Sequence, residues 1–272
     1  MFLNFILFKE GRGEQIMIHA GYDFLGNICI LKFDKKAKLK EKKEFAKKIL
    51  MERKQVTTVL EKSEKVHGRL RTLKTKHLAG KKTKEAIYRE SGCTFKLNVE
   101  TCYFSSRLSN ERLEIANKIE DGDDVLVLFS GVGPFPIVLA KHSEAKKITA
   151  VEIGRECCKY ALENVRLNKV YNLDVVQGDV KRLDKLISGK FDKIVMPRPQ
   201  LKDTFLKYVW KFCKKGAWIY YYDFGDNAEK IIDKVLGEAK AAKKKIKIFN
   251  FKKAGDIAPY KHRWRIDFRV LN

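Results

Sequence analysis

The run Val125-Leu126-Val127-Leu128-Phe129-Ser130-Gly131-Val132-Gly133-Pro134-Phe135 joins an apolar segment to a glycine-rich turn and a helix start. Glycines there let the backbone pass close to a ligand. The helix N-terminus that follows offers N–H groups without intrahelical partners. About twenty residues on, Ile148-Thr149-Ala150-Val151-Glu152 ends in a carboxylate, at the spacing where an acid accepts hydrogen bonds from ribose hydroxyls. Glu152-Ile153 thus closes a second apolar run, Gly178-Asp179-Val180 a third and Met196-Pro197-Arg198-Pro199 a fourth. A carboxylate and a backbone amide at Asp179–Val180 can read an adenine edge. The turn is G-x-G-x-x-P, short of the full dinucleotide fingerprint, and the chain has no G-x-x-x-x-G-K-[ST] phosphate cradle. The pattern fits a nucleoside without a pyrophosphate.

The elements that must position these residues alternate. Strands are expected at Val125–Phe129, Lys147–Glu152, Asp174–Gln177, Lys193–Met196 and Trp218–Tyr222, with helices between them, notably Cys157–Leu167 and Leu201–Phe212. That order predicts an α/β fold: an open parallel sheet with helices on both faces, whose ligand sits at the carboxyl ends of the strands. A helix over Ala228–Ala242 and strands at Ile246–Phe251 and Trp264–Val270 finish the chain. Two such terminal strands suit the sheet of a class I, Rossmann-like methyltransferase, and S-adenosylmethionine is a nucleoside ligand of the kind required. Upstream, a strand at Ile28–Phe33, a helix over Lys38–Arg53 and strands at Gln55–Leu60, Ala86–Tyr88 and Thr94–Asn98 describe a small α+β unit. The expected division is an N-terminal extension over 1–15, a small α+β domain over 16–100 and the Rossmann-like domain over 101–272.

Charge narrows the partners. With 58 Lys and Arg against 34 Asp and Glu, the 272 residues carry a formal charge of +24, which favours a polyanion. Lys65–Lys84 holds eight basic residues and no acid, and Lys243–Lys253 is a second basic stretch. Runs this one-sided commonly meet phosphate. The six cysteines form no C-x-x-C pair, so neither a zinc site nor a disulfide framework is expected and a reducing cytoplasm fits. The apolar start, Met1 to Phe8, lacks the basic lead-in of a signal peptide and is too short to span a bilayer. No membrane association is expected.

Several stretches together resemble one family, the archaeal and eukaryotic tRNA guanosine-37 N1-methyltransferases with their wyosine-pathway relatives. They are His67-Gly68-Arg69-Leu70-Arg71, His77-Leu78-Ala79-Gly80, Tyr103 to Leu108, Glu111-Arg112, Phe129 to Phe135, Glu163 to Lys169, and Ala258-Pro259-Tyr260. The resemblance implies a small domain plus a class I methyltransferase domain, acting on the base 3′ to the anticodon in the tRNA anticodon stem-loop. It places the base-handling arginine on Arg71 and the general base on Glu111. Cofactor contacts fall on Arg107, Arg112, Phe129, Val132, Glu152, Ile153, Asp179 and Val180. Ser130, Gly131, Gly133 and Pro197 join them from the strand ends, and Pro199 is the retained proline of the catalytic loop.

The G-V-G-P-F turn looks like the methyl-transferring branch rather than the aminocarboxypropyl-transferring one. Three departures stand out. The chain has little room for the family's extra N-terminal tRNA-binding domain. Val127 stands where an Asp is usual. Pro197-Arg198-Pro199 replaces Asn-Leu-Pro. The expectation is a monomeric methyltransferase acting on N1 of guanosine 37. The alternatives are a wyosine-pathway transferase acting on the modified base and a non-catalytic tRNA-binding protein of the same fold. Tyr103, Phe104 and Trp264 are the aromatics expected to be able to stack on an extruded base.

Overall fold

The computed structural model describes residues 3–9, 15–34, 36–63, 68 and 72–272. The chain forms two compact units, residues 1–89 with 94–103, and residues 90–93 with 104–272.

In the first unit, strands β1 (Leu3–Lys9), β2 (Gln15–Leu25) and β3 (Ile28–Phe33) run antiparallel in sequence. Helix α1 (Leu39–Glu52) then carries the chain to β4 (Thr58–Lys62), parallel to β3, and β5 (Thr75–Gly80) closes a five-stranded sheet in the order β1-β2-β3-β4-β5. Phe45, Ala46 and Ile49 lie on one face of α1 and are buried with Cys29, Leu31 and Val59 of the sheet, a helical stripe meeting a pleated face. The β2–β3 turn depends on Gly26, with φ of 55°; a Cβ there would fall 1.8 Å from the Ile87 carbonyl oxygen. Strands β6 (Glu85–Glu90) and β7 (Cys93–Asn98) form a hairpin through Ser91-Gly92, both at positive φ. The stretch expected as an N-terminal extension, 1–15, contributes β1 to this sheet, and Ile16 lies inside β2 rather than at a boundary.

The second unit begins with a 3-10 turn (Ser106–Leu108) and α2 (Ser109–Ala116). There follow β8 (Asp124–Leu128), α3 (Pro134–His142), β9 (Lys147–Glu152), α4 (Arg155–Leu167), β10 (Leu173–Gln177), α5 (Leu183–Leu186) and β11 (Phe191–Met196). Strand β12 (Cys213–Gly225), α6 (Glu229–Ala241), β13 (Ile246–Ala258) and β14 (Lys261–Val270) complete it. The seven strands lie in the order β10-β9-β8-β11-β12-β14-β13; β8 to β12 are parallel and β14 is antiparallel to both neighbours. Val125 to Leu128 are fully buried, as expected of a central parallel strand covered on both faces. Strand order reverses between β8 and β11, and ligands of open α/β sheets bind at such a point.

One expected element differs. Leu201–Phe212 is not a helix but two short 3-10 turns, Leu206–Tyr208 and Trp210–Phe212. Phe205 adopts φ of 64°, the Asp203 carboxylate accepts from the Phe205 N–H at 2.9 Å, and the Thr204 hydroxyl is drawn to Glu238 of α6. Local side-chain partners of this kind compete with helix formation. Phe205, Leu206, Val209, Trp210 and Phe212 are all buried, so the apolar spacing reflects packing on more than one side. Among the described residues no helix is long and apolar enough to cross a membrane.

Candidate active site

The turn after β8 is held by backbone conformations that favour glycine. Gly131 and Gly133 have φ of 57° and 89°, and Phe129 joins them at 56°. A Cβ on Gly133 would sit 3.0 Å from Ile137 Cδ1 of α3. The turn is tied to the end of β9 by two hydrogen bonds, Ser130 N–H to the Val151 carbonyl at 3.2 Å and Gly131 N–H to Glu152 Oε2 at 2.8 Å. Glu152 Oε1 accepts from Gly154 N–H at 2.7 Å, and its carbonyl accepts from Gly178 N–H at 2.8 Å. Glu152 thus ties the ends of β8 and β9 through its carboxylate and the end of β10 through its backbone carbonyl.

Asn164 of α4, fully buried, donates from Nδ2 to the Val132 carbonyl at 3.0 Å and locks the turn from behind. Ser130 Oγ is buried without a hydrogen-bond partner among the described residues. An orphaned hydroxyl, a glycine-lined turn and a ribose-type carboxylate at the switch point suit a nucleoside. Asp179 caps the following turn through the Lys181 N–H at 3.0 Å, beside buried Val180, and Ile153 is half-buried next to Glu152. The Phe129 ring packs edge-on to Phe205 at 5.0 Å, linking the β8 end to the segment after β11.

A second centre lies on α2. Glu111 is 6% exposed, and three donors reach it. Arg265 Nη1 at 2.7 Å and the Tyr222 hydroxyl at 3.1 Å share Oε2, and Lys252 Nζ lies 2.8 Å from Oε1. Arg265 is fully buried and also bonds Glu114 at 2.6 Å and Asp267 at 2.7 Å. Burial works against its charge, but Glu114, Tyr222 and Asp267 outweigh it and raise its pKa. Burial tends to raise the Glu114 pKa; hydrogen bonds and charge from Arg265 and Lys252 overcome that and hold it at about 2. Burial, then the neighbouring Glu111 charge, push the Tyr222 phenol well up, so it remains a donor to Glu111. Of the carboxylate's acceptor positions, one on Oε1 is not taken by these donors.

The remaining expected residues separate. Arg112, expected at the cofactor, is 1% exposed, and its guanidinium is committed to Glu90 and to the Ser105 carbonyl at 3.1 Å, between the Phe104 and Phe135 rings. That geometry makes it a support for α2 and the segment leading into it. Arg107 is exposed on the 3-10 turn before α2. Pro197 and Pro199 are half-buried after β11, while Arg198 between them is 2% exposed and points inward. Its Nε donates to the Tyr221 hydroxyl at 3.1 Å, Nη1 to the Pro199 and Leu201 carbonyls at 2.8 and 3.2 Å, and Nη2 to Leu201 O and Asp223 Oδ1 at 3.0 and 2.9 Å. Those contacts engage all five guanidinium N–H groups. Trp264 meets His262 edge-on at 6.1 Å, Phe104 lies against Arg112, and Tyr103 belongs to the first unit. Arg71 lies outside the described residues.

Sequence reasoning missed Tyr222, Lys252, Arg265 and Asp223. Arg265 and Asp267 carried a signal, since two charged residues at period 2 inside Trp264-Arg265-Ile266-Asp267-Phe268 must share one face of an otherwise apolar strand.

Residues 86–249 match the family model described as the TRM5/TYW2 methyltransferase domain, and residues 7–83 match the TYW2 N-terminal domain. The chain is 33% identical over 254 residues to tRNA (guanine(37)-N(1))-methyltransferase Trm5b of Pyrococcus abyssi, covering 92% of this chain and 75% of that protein. The crystal structure of that enzyme superposes with a TM-score of 0.82, over 93% of this chain and 75% of that one. The chain is 28% identical to tRNA (guanine(37)-N(1))/4-demethylwyosine(37)-methyltransferase Taw22 of Nanoarchaeum equitans, over 92% of this chain and 99% of that protein. A complex of aTrm5 with tRNALeu superposes with a TM-score of 0.80 at 26% identity, over 93% of this chain and 72% of that one.

Proposed function

Because this chain belongs to the TRM5/TYW2 methyltransferase family, we propose that it transfers a methyl group from S-adenosylmethionine to N1 of guanosine 37 in tRNA. The observation that carries this reading is the 33% identity, over 92% of the chain, to a tRNA guanine-37 N1-methyltransferase. The geometry of the second unit agrees with it. Glu152 would hold the ribose hydroxyls, the turn from Phe129 to Gly133 would border the nucleoside, and Asp179 with Val180 would meet the adenine. S-adenosylmethionine held there supplies the methyl on a positively charged sulfur.

Guanine N1 carries a proton near neutral pH and is a poor nucleophile until it loses it. Glu111 takes that proton as N1 attacks the methyl carbon and the carbon–sulfur bond breaks. Arg265, Lys252 and Tyr222 keep the Glu111 carboxylate in one orientation while it does so. Arg71 donates to O6, where negative charge builds. The target base reaches the site by leaving its stack in the anticodon loop. The enzyme works as a monomer in the cytoplasm.

Incubation with labelled S-adenosylmethionine and unmodified tRNA transcript, followed by nucleoside mass spectrometry, tests the reading. N1-methylguanosine is expected; unlabelled guanosine overturns it. A second reading rests on the TYW2-type N-terminal match and on Pro197, which supplies no amide at the switch point. On that reading the substrate is the tricyclic wyosine intermediate. The same experiment with tRNA bearing that base separates the two by where the label appears.

A further inference from the structure

The ribbon of β13 and β14 outruns the sheet that carries it. Strand β11 ends at Met196, opposite Tyr221 of β12, which pairs with Ile266 of β14. The ribbon continues from Ile266 to a turn at Pro259-Tyr260, with pairing as far as Ala258 and Lys261. Strand β12 accompanies it as far as Gly225, opposite His262, and at about 3.3 Å per residue the tip lies roughly 20 Å past the carboxyl end of β11, the end where Glu152 and Pro197 lie. The same ribbon is anchored at Glu111, since Lys252 of β13 bonds Glu111 at 2.8 Å and Glu114 at 2.6 Å.

The tip is built against ordinary turn chemistry. Tyr260 holds φ of 57°, in a two-residue hairpin turn where Gly or Asn would sit without strain, and it is 89% exposed. A bulky ring in that conformation, left in water, does no packing within its own unit. Exposed Lys261 adjoins it, Ile257 is 42% exposed, and exposed Lys253 lies further down the ribbon opposite Trp264. The acid of the tip, Asp256, is engaged by His262 at 2.5 Å and Lys253 at 3.9 Å. Lower on the same edge strand, Phe249 and Phe251 are half exposed and Lys247 sits 5.0 Å from the Phe249 ring centroid. Phe249 packs on Trp218 at 4.7 Å, near the amino ends of the parallel strands, whereas the exposed Tyr260 ring beside Lys261 stands past their carboxyl ends in a strongly basic chain and matches the chemistry that binds unstacked RNA: rings for bases, ammonium groups for phosphates.

We infer that the projecting β13–β14 tip is an RNA-loop arm, on which a base of the substrate loop other than the target stacks against Tyr260 while Lys261 meets a flanking phosphate. The inference rests on the tRNA-substrate reading above, but its test does not require turnover. Affinity for an unmodified anticodon stem-loop is measured by fluorescence anisotropy across a salt series, and S-adenosylmethionine affinity by calorimetry. Tyr260→Ala is expected to weaken RNA binding about 10-fold, as loss of one stacked base does, with cofactor affinity and salt slope unchanged. Tyr260→Phe is expected to bind as wild type. Lys261→Ala is expected to lower the salt slope by about one.

Unchanged RNA affinity in Tyr260→Ala, with wild type binding and methylating the RNA, overturns the arm and leaves the enzymatic reading intact. A wild-type protein that does not bind the stem-loop overturns both. RNA binding weakened by Tyr260→Ala in a protein that transfers no methyl keeps the arm and removes the enzymatic reading. A Tyr260→Ala variant that loses self-association in sedimentation, with RNA affinity intact, makes the tip a contact between copies and overturns the arm.

Discussion

Glu152 and Glu111 are two buried carboxylates of one unit, 8% and 6% exposed, and they are held by opposite means. Glu152 receives the backbone N–H groups of Gly131 and Gly154, neutral donors fixed by the turn and the strand end. Glu111 receives a guanidinium, an ammonium and a phenol, all side chains, from β12, β13 and β14. Backbone donors set a position with little freedom to adjust, which suits an acceptor for ribose. Side-chain donors form a network whose members are shared, since Arg265 and Lys252 also serve Glu114. A network can absorb a proton arriving at one member, which a rigid amide pair does less readily. That contrast agrees with the proposed roles, the carboxylate at the turn as the binding group and the one on α2 as the reacting group.

The largest effect that sharpens this contrast is expected at Glu111. Glu111→Gln keeps size and one acceptor oxygen but removes the proton acceptor, so single-turnover methyl transfer falls at least about 100-fold, with calorimetric affinity for S-adenosylmethionine unchanged. A rate within a few-fold of wild type breaks the contrast. Glu152→Ala has the reverse signature. Cofactor affinity drops about 10- to 100-fold, the worth of a charge-assisted hydrogen bond at ~1.5–3 kcal/mol, and unchanged affinity removes Glu152 from the site.

A smaller effect is expected between the two, at the switch point. Arg198 has no N–H left for a ligand, so it does not replace the amide that Pro197 lacks. Pro197→Asn is expected to speed guanosine methylation roughly 2- to 10-fold, the range of one neutral hydrogen bond. Equal rates for wild type and variant show that no amide is needed there.

The smallest effect is a pH signature of the Glu111 network. The Glu114 carboxyl is depressed from 4.5 to about 2 in the fold, so its stabilising contribution is complete above pH about 4.5 and is lost as pH falls towards 2. The Tm gap between wild type and Glu114→Gln should be constant from neutral pH down to about 4.5 and close below it. A gap that is flat to pH 2 means the pair contributes nothing that protonation removes.

The sequence made the first of these carboxylates legible and the surroundings of the second not. Strands β8, β9 and β11 are largely buried and read as apolar runs, and β9 has the expected bounds, Lys147–Glu152. Glycines at positive φ and an acid at a strand end are local signals, so the turn at Phe129–Gly133 and Glu152 follow from them. The partners of Glu111 come from positions 222, 252 and 265, more than 100 residues away, and no local pattern links them to α2. Arg198 is another such case, since its direction is decided by Tyr221 and Asp223 on the neighbouring strand. Leu201–Phe212 misled for a different reason. Its apolar residues are buried on several sides, and periodicity cannot separate that from one helical face.

The assignment of a binding carboxylate and a reacting carboxylate stands on methyl transfer to N1 of guanosine 37, and reverse transcription tests that most directly. A methyl on N1 occupies the pairing edge of the base and halts the transcriptase. Unmodified tRNA incubated with this protein and S-adenosylmethionine should give a stop at position 37, absent without cofactor and absent from a transcript carrying adenosine there. Read-through at position 37 under the complete reaction would contradict the account.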